Sequence, residues 1–215
     1  MPLSIPTPPP ECAKAFSKDL PAFLTPGYSE TFVGTPPQIP STVDVGLGSG
    51  PVYGPPTIPA ALPAFVLNLH AAADKTAVFS PTPSGWSFFA GGAQGKTILG
   101  RMVERRHAWK LVGINYGDLV SATLDAILNL LSTPPVQTSS QNYEIRLLGV
   151  PGLNLQYFWL ATPNAAADLI VRAPQAVTSP TPPIHVSPPY EIPNFLAEIQ
   201  PLAAGLLSMP AKSGA

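Results

Sequence analysis

The chain has 215 residues, of which 11% are charged and 45% hydrophobic, and its formal net charge is −1 at pH 7. This balance argues against a wholly disordered chain, because disordered proteins combine high charge with low hydrophobicity. A near-zero net charge also excludes a global electrostatic field that would attract nucleic acid or anionic lipid.

Prolines divide the chain into segments of different character. Thirty residues are proline, and fourteen of them lie in residues 1–60. Each proline fixes φ and removes a backbone donor, so we predict a Pro-rich extended arm there. Residues 61–177 contain fewer prolines and suffice for one core of ordinary domain size. A second Pro-rich segment, 178–193, is interpreted as a linker to a C-terminal amphipathic helix at 194–209.

The first half of the chain predicts one short helix and several strands. Residues 10–20 contain no proline after the first position and can form a short helix. Strand-like segments follow at 64–69, 76–79, 86–90 and 109–116. Segment 97–106 fits two patterns, a helical stripe or a strand, and the sequence does not decide between them.

The strongest helical pattern begins at Asp118. This residue is suited to cap a helix, and five apolar residues recur at helical spacing between Val120 and Leu131. Two prolines end the pattern, and three strands are predicted after it, at 143–150, 153–161 and 169–173. Strands on both sides of one clear helix predict an α+β fold with a single mixed or antiparallel β-sheet and one main helix.

The C-terminal segment carries a continuous apolar stripe. At helical spacing it includes Phe195, Leu196, Ile199, Leu202 and Leu206. A proline at position 201 lies inside the segment, so we expect a kink or a break there. A tethered apolar helix docks into a partner's groove or folds back onto its own sheet. We predict that these five residues bind a partner.

Residues 90–97 resemble a relaxed phosphate-binding loop. Gly95, Lys96 and Thr97 are in register with that pattern, whereas Ala90 stands where it has glycine. In such a loop Lys96 would neutralise phosphates and Thr97 would hold Mg²⁺, which makes these three the candidate cofactor-binding residues. No later apolar strand ends in the aspartate that would position the metal. The competing interpretation is a glycine-rich connection between two strands.

A basic cluster follows at 101–110. Its members are Arg101, Arg105, Arg106, His107 and Lys110. On a helix, Arg101 and Arg105 would share a face and offer a footprint for nucleic acid. Clusters of this size are also common on solvated faces, and few aromatic residues lie nearby. Nucleic acid is therefore not an expected partner.

No convergent catalytic set is visible in the sequence. The three histidines stand far apart, and no G-x-S-x-G nucleophile motif occurs. The single cysteine, Cys12, excludes an internal disulfide framework and a cysteine-based zinc site. We therefore expect no catalytic residue, no metal site and no cofactor.

Membrane and secretory signals are also missing from the pattern. The longest largely apolar run, 60–69, is shorter than the roughly 20 residues of a membrane span, and the first residues do not read as a secretory signal. We expect no membrane span and a cytoplasmic location.

The favoured hypothesis is a non-enzymatic protein-interaction or assembly module that contacts a protein partner, or copies of itself, through its Pro-rich arm and C-terminal helix. The alternatives are a nucleotide-binding protein using 90–97 and a nucleic-acid-binding module using 101–110.

Overall fold

The described part of the chain forms a mixed β-sheet with helices packed against it. The computed structural model describes residues 3–23, 61–74, 76, 78–91, 97–116, 118–131, 133, 136, 139–163, 165, 167–174 and 189–209. Within these ranges the strands join into one nine-stranded sheet. The coarse prediction of an α+β fold with a single mixed sheet is confirmed.

The elements alternate irregularly along the chain. The strands are β1 (Leu3–Ser4), β2 (Ala61–Val66), β3 (Thr82–Gly91), β4 (Thr97–Arg105), β5 (Ala108–Tyr116), β6 (Tyr143–Val150), β7 (Leu155–Ala161), β8 (Leu169–Arg172) and β9 (Tyr190–Glu191). The helices are α1 (Pro10–Phe23), α2 (Leu69–Ala73), α3 (Asp118–Leu131) and α4 (Ile192–Ser208), and a 3₁₀ turn spans Pro151–Leu153. The sheet order is β5-β4-β3-β2-β6-β7-β8-β9, and β1 pairs with β6 beside this path. Strands β1 and β2 run parallel to β6, whereas the other neighbours are antiparallel.

Helix α3 covers one face of the sheet. Its residues Val120, Leu124 and Ile127 pack with strand residues such as Leu147 and Phe158 in one buried cluster. In β6 the residues at positions 143, 145 and 147 belong to this cluster, as strand alternation requires. Each large side chain buried this way stabilises the fold by about 1.5–3 kcal/mol.

The opposite face is covered by two helices that lie on different halves of the sheet. Helix α1 packs on β4 and β5, where Phe16 stacks on Phe88 with ring centroids 4.6 Å apart. Helix α4 packs on the other half, where Phe195 and Ile199 join Tyr157 of β7 in a second cluster. Residues 3–23 and 190–208 are therefore part of the folded structure, in addition to the predicted core at 61–177.

Several local predictions are confirmed and several are wrong. The predicted helix from Asp118 and the predicted strand at 143–150 are confirmed, and the short helix predicted at 10–20 extends to Phe23. The predicted strand at 76–79 is wrong for its described residues, 76, 78 and 79, which are not in a strand. Besides α3, the described ranges contain two further helices of 14 and 17 residues, α1 and α4.

The ambiguous segment 97–106 is strand β4. Its apolar residues mimic a helical stripe because helices cover both faces of the sheet here, so neighbouring positions are buried on opposite sides. Ile98 and Met102 pack beside α1, whereas Leu99 packs beside α3. The expected break at Pro201 does not occur, since α4 continues through this residue. Pro201 is exposed, and its missing N–H therefore lies where water can solvate the freed carbonyl.

Candidate functional site

The first half of α4 binds to the chain's own sheet. Phe195 packs edge to face on Tyr157, with ring centroids 4.9 Å apart, and also on Phe79 at 6.0 Å. Phe195 and Ile199 are fully buried, and Leu196 is partly buried against the same cluster. Three of the five residues predicted to bind a partner thus contact the protein's own core.

The C-terminal end of α4 is exposed to solvent. Ala203 is the last buried residue of the helix, and residues 204–209 are all exposed. Six large hydrophobic side chains are exposed in the described ranges, and four of them lie within residues 202–209. They are Leu202, Leu206, Leu207 and Met209, between 38% and 67% exposed. We refer to these four residues as the α4 tip, which contains the remaining two predicted partner-binding residues.

The α4 tip is apolar without any compensating charge. Residues 199–208 include no Asp, Glu, Lys or Arg. The 17 residues of α4 extend about 25 Å at a rise of 1.5 Å per residue. The helix contacts α2, the 3₁₀ turn, β8 and β9. Because burial stops at Ala203, the apolar stripe continues for more than one turn beyond the surface that it covers.

Of the three predicted phosphate-binding residues, Thr97 is the first residue of strand β4. Gly95 and Lys96 are outside the described residues, and the side chain of Thr97 is not described. The backbone of Thr97 pairs with Gly91, so residues 92–96 connect two antiparallel strands. A phosphate-binding loop is instead followed by a helix, whose N-terminal amides bind the phosphate. The observed order, strand, connection and strand, is that of the competing interpretation.

The predicted basic cluster lies on the β4–β5 hairpin. Arg106 and His107 form its two-residue turn, with φ of 51° and 61°, as turns of this type require. Arg101 and Arg105 share a face because they are four residues apart on one strand. All five members of the cluster are exposed. The cluster therefore lies on an exposed β-hairpin. The nucleic-acid-binding alternative had placed Arg101 and Arg105 on one face of a helix.

A groove lies on the α3 face of the sheet, beside the start of that helix. It has a volume of about 430 Å³ and is open to solvent. Its polar lining residues are Ser84, Ser87, Arg101, Asn115, Asn154 and Gln156. No local sequence pattern indicates this site, because its lining residues come from six strands, from α3 and from the segments after β6 and β8, which only the fold brings together.

Two buried groups with altered acidity are poorly suited to catalysis. Burial, together with the nearby Glu11 and Glu104, raises the pKa of the Cys12 thiol to about 12. Burial, with a smaller contribution from the nearby Glu198, also raises the pKa of Tyr157 to about 12. Both groups stay protonated at neutral pH, so neither the thiol nor the phenol supplies a nucleophile there.

A buried carboxylate that the sequence did not single out has a structural role. Asp168 accepts hydrogen bonds from Trp159 Nε1 at 2.8 Å, from Thr162 N at 2.6 Å and from Thr162 Oγ1 at 2.7 Å. These three bonds fix the connection between β7 and β8. The side chain of Asp168 is buried, and its two oxygens are occupied by these donors.

Neither metal ligands nor relatives point to a different site. Within the described ranges, no three His, Cys, Asp or Glu side chains are placed to hold a metal ion. Among the helices described, none has the length and apolar character to cross a membrane. Comparison with protein-family models, with curated proteins and with solved structures found no match to this chain.

Proposed function

We propose that this protein is a non-enzymatic assembly module that associates with a second copy of itself through the α4 tip. The observation that carries this proposal is the concentration of exposed apolar side chains in one place. Four of the six exposed large hydrophobic residues of the described chain lie within residues 202–209. Large exposed apolar patches on proteins commonly mark interaction sites.

The helix geometry favours a helix-to-helix contact. Leu202 and Leu206 are four residues apart, which places them on one side of α4, and Met209 follows directly after the last residue of the helix. Such a row packs between the side chains of a second helix at an interaxial distance of about 8–10 Å. Fully burying each leucine or methionine would contribute up to about 1.5–3 kcal/mol.

Charge supports a second copy as the partner. Residues 199–208 carry no charged side chain, so two tips can pack together without bringing like charges into contact. The net charge of −1 also leaves little repulsion between whole molecules. The four tip residues alone are a small interface compared with the roughly 800 Å² per partner of a standard one. In this proposal the Pro-rich segments 24–60 and 175–188, which lie outside the described residues, supply further contact.

Light scattering on the full chain tests the proposal. Leu202→Glu places a charge in the tip, and we expect it to weaken association at least ~10-fold, because an unpaired charge in an apolar contact must lose its hydration. The matched control is Val78→Glu, which places the same charge at an 81% exposed residue outside the α4 tip, next to Phe79 and the buried first half of α4. Truncation of α4 is unsuitable, because Phe195 and Ile199 belong to the core.

The outcome is read from mass against protein concentration. The proposal predicts a wild-type mass that rises towards twice the chain mass, a Leu202→Glu variant that stays monomeric, and a Val78→Glu variant that behaves like wild type. Equal melting temperatures for the three proteins would show that the charge acts on association and not on folding. A wild-type protein that is monomeric at every concentration, or a Leu202→Glu variant that still associates like wild type, contradicts the proposal.

A further inference from the structure

The groove on the α3 face is lined by a serine that is mostly buried. Ser87 is 6% exposed and lines the groove. Its hydroxyl can both donate and accept a hydrogen bond, so it can bind a polar group in the groove.

Arg101 lies directly beside this hydroxyl. Ser87 of β3 and Arg101 of β4 are register partners, so their side chains extend from the same face as cross-strand neighbours. The partner of Arg101 on its other side is Gly113, where an added Cβ would meet no atom within 4 Å. The sheet surface beside Arg101 is therefore open on the Gly113 side.

No acidic side chain in the described ranges neutralises Arg101. The ion pair in the described ranges is elsewhere and joins Arg146 Nε to Glu144 Oε1 at 2.6 Å. Arg146 lies on the opposite face of the sheet, over the rings of Phe65 and Trp159. None of the described residues that line the groove is Asp or Glu. A guanidinium that faces a concave site without a counterion favours an oxyanion, which it binds through two parallel hydrogen bonds.

The rest of the lining defines the ligand class. Asn115 and Gln156 add neutral hydrogen-bonding groups, and Val66, Leu99 and Leu147 add apolar walls. A single cation matches a single negative charge, and a polyphosphate would need further cations or a series of backbone amides. The volume of about 430 Å³ falls in the range of small-ligand sites, about 300–1,000 Å³.

From these observations we propose that the groove binds a small organic carboxylate, with its carboxylate on Arg101 and Ser87 and its apolar part against Val66 and Leu147. This site is separate from the α4 tip. Binding here is independent of self-association, so either proposal can fail without the other.

An NMR titration of the full chain with hexanoate tests this proposal. Hexanoate carries one carboxylate on an apolar chain, and hexanamide is the matched uncharged probe. Two variants change the site by different means: Arg101→Gln removes the charge, and Gly149→Val fills the floor of the groove. The added Cβ of Gly149→Val meets its nearest atom, the Phe65 carbonyl oxygen, at 3.8 Å, which is an ordinary contact. Arg105→Gln is the control, because Arg105 lies on the same strand and does not line the groove.

The expected result is a set of amide shifts around Ser87 and Arg101 that saturates with hexanoate. The dissociation constant should rise at least ~10-fold in Arg101→Gln and in Gly149→Val, because each variant removes a charged contact or the space for the ligand, and it should not change in Arg105→Gln. Hexanamide should bind at least ~10-fold more weakly than hexanoate. An absence of shifts at millimolar hexanoate, or an Arg101→Gln variant that binds like wild type, overturns the proposal. Equal losses in Arg101→Gln and Arg105→Gln would indicate a diffuse basic surface and also overturn it, as would binding of inorganic phosphate but not of hexanoate.

Discussion

Tyr157 and Phe195 pack edge to face, with ring centroids 4.9 Å apart, and this contact attaches the C-terminal helix to the central sheet. Tyr157 belongs to β7 and Phe195 to the first turn of α4, and both are buried. The helix is therefore a structural element in its first half and an exposed apolar surface in its second half.

Phe195→Ala should lower the free energy of unfolding by about 3–5 kcal/mol, because it removes a fully buried ring and leaves a cavity. Leu202→Ala is the matched control on the same helix and should change it by less than about 0.5 kcal/mol, since Leu202 is exposed. Urea denaturation followed by circular dichroism measures both values. Similar losses in the two variants would contradict the division of α4 at Ala203.

Tyr157→Phe should reduce the loss of stability at alkaline pH. The Tyr157 hydroxyl is buried without a hydrogen-bond partner in the described chain, and burial raises the pKa of Tyr157 from 10.0 to about 12. Because the folded protein holds this proton more tightly than the unfolded chain, protonation stabilises the folded state fully below pH 10, and this stabilisation is lost as the pH rises from 10 to 12. The Tyr157→Phe variant has no hydroxyl and therefore lacks this pH dependence.

Unfolding measured at a series of pH values checks the tyrosine prediction. At pH 7 the Tyr157→Phe variant should be as stable as wild type or more stable, because an unpaired buried hydroxyl is lost. Between pH 10 and 12 its advantage should increase. A variant that is less stable at pH 7 would show that the hydroxyl has a bonding partner.

Cys12 should resist thiol reagents in the native protein. The side chain is fully buried, and burial raises its pKa from 9.0 to about 12, so the reactive thiolate is scarce at pH 8. Labelling with a maleimide, followed by mass spectrometry, should be slow in buffer and rapid in denaturant. Rapid labelling of the native protein would contradict the packing of α1 on the sheet.

Two glycines on adjacent strands should respond differently to alanine. Gly100 lies under the ring of Phe16, and an added Cβ would overlap that ring. Gly100→Ala should therefore lower the free energy of unfolding by about 1–3 kcal/mol, as overpacking does. Gly113→Ala is the control and should change it by less than about 0.5 kcal/mol, because its Cβ meets nothing within 4 Å. Equal effects would place Phe16 elsewhere.

Local pattern was enough to predict elements that bury one face in a regular period. Helix α3 and strand β6 are of this kind, with buried positions at helical and alternating spacing. Strand β4 is different, because Ile98 and Leu99 are buried on opposite faces and their pattern does not distinguish a strand from a helix. Which elements cover each face is a tertiary property that the local sequence does not carry.

The candidate sites show the same limit. The apolar stripe of α4 is visible in the sequence, but it is continuous from Phe195 to Leu206 and carries no mark at Ala203, where burial ends. The pairing of Ser87 with Arg101 depends on the register of β3 and β4, which is set by the whole sheet. The sequence therefore predicts the apolar face of α4 but not the residue at which its burial ends. It does not predict the groove.

Cross-linking through the α4 tip tests self-association most directly. Gly205 lies in the tip region, and a side chain added there meets no atom within 4 Å, so Gly205→Cys introduces an accessible thiol. Cys12 is buried, and wild type treated in parallel reports any reaction of that residue. With a short bis-maleimide, we expect Gly205→Cys to form a covalent dimer rapidly at low protein concentration and Val78→Cys, at an 81% exposed position, to remain monomeric. Equal cross-linking of the two variants, or none in Gly205→Cys, would contradict the assignment of the α4 tip as the contact between copies.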